Sequence, residues 1–310
     1  MSEPSFFRRG RVLRVGAALV VLLALAGYFA AQQRGGAPAG SRCVVRSADD
    51  PAETYELSAV MAVNAATISA VGTGKGMPER AVTIALATAI QESSLRNIDY
   101  GDRDSLGLFQ QRPSQGWGEP EQIMDPVYSS EKFYEHLAEV PGYSRLPLTV
   151  AAQRVQKSGF PQAYAKHERD ASLLAAALTG RAATTLTCGG ATEGPGDEKQ
   201  VRAALARDFG KDALPATGAA GSGSGAAGSG SDADGAADGP RTVELPVPSA
   251  EGKRRGWELA HWAVANATRL GVAEVTYAGR TWRTGGDWET SAEETRGGGT
   301  GAVRIVVSEG

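Results

Sequence analysis

Glu92 stands where a carboxylate is least expected. From Ala81 to Ile90 the chain carries no charge, and the helical face through Ala81, Ile84, Ala85 and Thr88 continues one turn on to Glu92 and then to Leu95. Thr88, the one polar member of that run, can bond back to its own helix. A face made for a core therefore ends in an acid. Desolvation there favours the neutral carboxyl, and a carboxyl that keeps its proton near neutral pH is what general acid catalysis needs. The same pattern also describes a helix-end glutamate turned to solvent. Beyond it, Asn97, Asp99, Gly101, Asp102 and Asp104 form a turn-rich polar loop, and Ser105-Leu106-Gly107-Leu108-Phe109-Gln110 returns the chain to apolar packing. Other chemistry is poorly supplied. His136, His167 and His261 have no cysteine or carboxylate at ligand spacing, so neither a metal nor another cofactor is expected. Gly72-Thr73-Gly74-Lys75-Gly76 imitates a phosphate loop but lacks the preceding strand and the full spacing, and it reads as a helix connector.

The order of two short motifs suggests a family. Glu92-Ser93 at a helix end, followed beyond a loop by Gly107-Leu108-Phe109-Gln110 and Pro113, resembles the lysozyme-like superfamily of lytic transglycosylases and goose-type lysozymes, where Glu-Ser precedes a Gly-Leu-Met-Gln segment. The resemblance implies a catalytic acid at Glu92, a cleft wall near Gln110 and Gln111, and Ser93 beside the substrate. The family's Ala-Tyr-Asn-x-Gly string is absent. Val155 to Ala165 stands nearest to it, with Gln156 or Tyr164 as candidates to face the cleft and helix packing as the other role for Tyr164. The implied activity is cleavage of the glycan strands of peptidoglycan. A second carboxylate would come from Asp99, Asp102 or Asp104, as glycosidases commonly need. Failing that, the substrate's own groups would act and leave an anhydro product. A different class of reading is a catalytically silent wall-binding or scaffold protein that keeps the fold.

The elements around these residues point outside a membrane. Arg8, Arg9, Arg11 and Arg14 precede 17 uncharged residues from Val15 to Ala31, which reads as a short anchor over 15–33 with the basic segment 1–14 in the cytoplasm. A cleaved signal peptide ending near Ala37-Pro38-Ala39, which would release a secreted protein, is the rival. Residues 1–34 carry a charge of +4, so the rest carries −7 of the chain's net −3, and no nucleic-acid partner is expected. Cys43 and Cys188, the only cysteines, are expected to be bonded on the oxidising side and to mark the edges of one domain, 43–188.

Between the cysteines the pattern reads as almost wholly helical. One helix is expected over Tyr55 to Val71, one capped by Asp125-Pro126, one capped by Thr149, and a last one from Pro161 to Leu178. Residues 189–247 read as a linker, with one helix at Glu198 to Phe209 and a Gly/Ala/Ser/Asp tether from Ala216 to Gly239 that leaves the carboxyl-terminal segment free to move. Residues 248–310 hold a Trp-rich helix ended by Gly271, then strands at Val272 to Trp282 and Ala302 to Val307. This segment resembles a small α+β domain at the carboxyl end of some actinobacterial wall-associated proteins, whose closing Asp-His-x-His strand is replaced here at Arg304 and Val306. The expected fold class is mainly α: a lysozyme-like helical domain, a flexible linker and a small α+β accessory domain.

Overall fold

The computed structural model describes residues 41–157, 162–190, 194–211, 241–247, 252–290 and 301–309, all within one compact unit, Ser41–Gly310. The expected membrane anchor, the alternative cleavage site and the Ala216 to Gly239 tether lie outside the described residues. Among the described residues no helix is long and apolar enough to cross a membrane.

The mainly α expectation is corrected by two antiparallel sheets. Of the described residues 49% are helical and 17% lie in strands, which makes the fold mixed α/β. The first sheet has the order β2-β1-β3, from β1 (Arg42–Arg46), β2 (Thr54–Ser58) and β3 (Leu186–Cys188). Its cause is a period-two pattern at both ends of the helical region: Cys43 and Val45 point inward between outward Arg42, Val44 and Arg46, and Leu57 turns inward between Glu56 and Ser58. The helix expected from Tyr55 therefore starts only at Ala59, where the Ser58 hydroxyl accepts from the Met61 N–H at 3.3 Å. Cys43 and Cys188 face each other across β1 and β3 and are disulfide-bonded.

Among the described residues seven α-helices complete this half and its extension. They are α1 (Ala59–Gly74), α2 (Glu79–Ser93), α3 (Pro120–Ile123), α4 (Pro126–Ala138), α5 (Leu148–Gln156), α6 (Glu168–Leu178) and α7 (Glu198–Phe209). Every residue of α2 from Ala81 to Ile90 is buried, because α1, α4, α5 and α6 all pack around it. Asp125 caps α4 through its Oδ1, and Pro126 takes the first turn. Thr149 is not at the cap position, since α5 begins one residue earlier, at Leu148 behind Pro147.

The second sheet runs β4-β8-β5-β6-β7: β4 (Thr242–Pro246), β5 (Val272–Tyr277), β6 (Arg280–Arg283), β7 (Glu289–Thr290) and β8 (Ala302–Val307). β4 belongs to the segment read from sequence as linker. Helix α8 (Gly252–Ala265) lies between this sheet and α1 and α6, and the short α9 (Ala267–Leu270) comes directly after it. Free movement of this part is not what the structure shows. The Trp262 indole donates to Asp208 at 2.9 Å, the Trp288 indole donates to the Leu186 carbonyl at 2.9 Å, and His261 Nδ1 lies 2.8 Å from the Ala177 carbonyl. The reason is legible in α8 itself: residues 256–265 are buried on every side, and a helix buried all round needs two partners.

Candidate active site

Helix α2 delivers Glu92 and then stops. The Ser94 N–H bonds to the Ile90 carbonyl and the Leu95 N–H to the Ala89 carbonyl, which is the paired closure of a Schellman end with serine in place of glycine. Ser94 and Leu95 both adopt left-handed backbone, φ 54° and 58°. Such residues cost energy and persist only where neighbours fix them. Here the Asn64 amide of α1 donates to the Leu95 carbonyl at 2.8 Å, and Leu95 is completely buried. The acid thus sits in the last turn of a helix whose continuation is blocked.

Three side chains then fix the surroundings of the carboxyl. The Ser93 hydroxyl donates to the Leu108 carbonyl at 2.8 Å, and the Gln156 amide donates to the next carbonyl, Phe109, at 2.6 Å. The Tyr164 hydroxyl, fully buried, donates to Glu92 Oε1 at 2.6 Å. The Gln156 amide also acts on the Glu92 carboxyl. Burial raises the Glu92 pKa above the usual carboxylate value, and the Tyr164 bond and the Gln156 amide pull it part of the way back. A half-buried carboxyl inclined to hold its proton lies at the surface of a polar cleft of about 510 Å³, together with Asp102, Ser105, Gln110, Arg112 and Trp117.

The sequence candidates divide accordingly. Gln110 and Gln156 line the cleft, and Tyr164 acts from beneath it through Glu92. Ser93 and Gln111 lie inside: Ser93 holds the Leu108 carbonyl, and the Gln111 amide donates to the Ser129 carbonyl at 3.0 Å. Of the three aspartates only Asp102 lines the cleft. Asp104 is bound by Arg112 Nε at 2.7 Å and the Ser114 N–H at 2.8 Å; bonds from the Ser114 side chain first and then Arg112 hold its carboxyl well below the usual range. Trp117, Arg103, Gln115 and Lys157 were not found from sequence. Trp117 ends the motif stretch, and a lone tryptophan beside a polar loop was the available signal.

The loop back from Asp104 depends on one glycine. Gly107 has φ +75°, and a Cβ there would come within 2.7 Å of the Ile123 carbonyl oxygen. Its N–H bonds to the Ile98 carbonyl at 2.7 Å, and Leu106 and Gln111 pair through two backbone bonds across the turn. Gly107→Ala is therefore expected to destabilise the fold by roughly 1–3 kcal/mol, from left-handed strain together with the backbone clash, read as a lower urea midpoint. An unchanged midpoint would show that the loop yields freely.

Among the described residues no group of three His, Cys, Asp or Glu is placed to hold a metal. Residues 196–302 match a family model described as VldE, C-terminal domain. The VldE C-terminal match begins just before α7, takes in β4, α8 and β5 to β7, and reaches the first residue of β8; it contains none of the cleft residues. No curated protein matches the chain.

Proposed function

We propose that the protein cleaves peptidoglycan glycan strands outside the membrane, with Glu92 as the one acid and base. The observation that carries this reading is the Glu92 carboxyl itself, desolvated, hydrogen-bonded by Tyr164 and open to a polar cleft. Glu92 gives its proton to the glycosidic oxygen as the C1–O bond breaks. The resulting carboxylate then takes the proton of the sugar's 6-hydroxyl as that oxygen closes on C1. No water is added, and the product carries an anhydro end. The aspartates favour this course over hydrolysis. Asp104 is committed to Arg112 and Ser114, Asp99 is not in the cleft lining, and the Asp102 side chain is 94% exposed beside Arg103. The disulfide suits the oxidising side of a membrane, and an anchor over residues 15–33 would hold the cleft near the wall.

Mass spectrometry of fragments released from purified peptidoglycan tests this reading. Anhydro ends support it, reducing ends give the bond to water, and no soluble fragment from the full chain defeats it in favour of the scaffold. The pH profile should carry the same residue's mark. The proton donor is present below the raised Glu92 pKa and is lost as pH rises through it, so the rate falls on the alkaline side. Tyr164→Phe removes a bond that favours the ionised form, and the alkaline limb should move to higher pH; a limb that stays in place separates Tyr164 from the titration.

A further inference from the structure

The cleft does not end at Trp117. A second basin of about 660 Å³ continues from it, sharing Gln115, Trp117, Gln156 and Lys157 and adding His136, Glu139 and Arg154. Its two cations have no carboxylate partner among the described residues, unlike several arginines elsewhere in this half of the molecule. Arg80, Arg112, Arg169 and Arg181 each pair with a carboxylate, on Glu168, Asp104, Glu53 and Glu79 respectively. Arg154 and Lys157 are exposed, and neither forms an ion pair with a described residue. Both come from the end of α5, and Lys157 caps that helix in left-handed backbone, φ 51°, with its N–H on the Gln153 carbonyl at 2.8 Å. Glycine or asparagine would fill that cap with less strain. A positive charge suits a helix carboxyl end in itself. That accounts for one cation near α5, but not for two lining the same open basin beside the acid. Among the described residues that line the basin Glu139 is the only carboxylate, and the two cations outnumber it.

We propose that Arg154 and Lys157 form a subsite for carboxylates carried on side branches of the glycan, so that the cleft selects strands still bearing acidic peptide branches over bare strands. This rests on the glycan-cleaving reading of Glu92 and names what that site prefers. A strand lying with one sugar bond at Glu92 passes Trp117 into the basin, where a branch carboxylate meets the two cations. Exposed contacts of this kind are screened by salt, so the preference should weaken as ionic strength rises.

The test compares intact sacculi with sacculi stripped of their peptide branches by an amidase. Cosedimentation of the full chain is measured without reference to catalysis, and the ratio of cleavage rates is measured beside it. The parent should bind and cut branch-bearing material preferentially. Arg154→Gln with Lys157→Gln should lower that ratio roughly three- to thirtyfold, as expected for two exposed charge contacts. Lys157→Glu should reverse the preference. A parent without preference, or a double variant that keeps it in both assays, overturns the proposal. Discrimination in binding with no cleavage by the parent leaves the subsite standing and removes the enzymatic reading instead.

Discussion

Replacing Glu92 with glutamine is expected to cut the release of soluble fragments from peptidoglycan about 10²–10⁴-fold, the range that a positioned general acid contributes. Glutamine keeps the volume, and its carbonyl oxygen can still accept from the Tyr164 hydroxyl that now bonds Oε1. What it lacks is the proton. The same substitution should raise folding stability at neutral pH. A carboxyl whose folded pKa is raised binds its proton more tightly in the folded chain than in the unfolded one, so its contribution is favourable at low pH and is lost as pH rises through the raised value. Glutamine does not titrate and escapes that loss. Denaturant midpoints of parent and variant should therefore lie close together in acid and separate toward neutral pH, with the variant the more stable. Equal fragment release by the two proteins would remove Glu92 from the chemistry, whatever the midpoints show.

The position of Glu92 at the end of a buried helical face was legible from sequence because the signal is local. An uncharged helical face that ends in an acid needs only a short window to read, and the structure buries that face from Ala81 to Ile90 and leaves Glu92 half-buried. The ends of α7 and β8 agree with the spans read from sequence, and the structure shows an Asp197 side chain capping the one and alternating burial along the other. The strand character of β1 and β2 was missed because five-residue alternations next to a long helical run carry little weight until their partner, β3, arrives more than a hundred residues later. Ser93 and Gln111 were misplaced for a related reason. Polar residues beside a motif look available to a substrate, and nothing in sequence order tells that Leu108 and Ser129 present carbonyls to them. The packing of the carboxyl-terminal part was the largest omission. A low-complexity tether argues for independence, but Asp208 before the tether is bound by Trp262 after it and by Thr67 of α1, a three-way contact that only the folded chain brings together.

Breaking the Cys43–Cys188 bond should cost the protein more stability than any other single change at a distance from the cleft. The bond spans 145 positions, and the chain-entropy treatment of a loop that long gives about 4–5 kcal/mol of stabilisation through the unfolded state. The native state has little to lose by keeping it. Cys43 and Cys188 are directly opposed in the β1–β3 pairing, both are buried, and the neighbouring bond from the Gly189 N–H to the Arg42 carbonyl, at 2.7 Å, ties the same two strands independently. Serine at both positions should therefore leave the sheet in place while lowering the melting temperature by roughly 8–20 °C, taking 2–4 °C per kcal/mol for a chain of this size. The loss should reach the cleft only through stability. Ser58, at the end of β2, caps the α1 helix, and Asn64 of that helix holds the Leu95 carbonyl just past Glu92. At temperatures well below its own transition the variant should retain the parent's alkaline limb in the pH profile. A melting temperature within about 2 °C of the parent's would mean that the unfolded chain already keeps these two ends together.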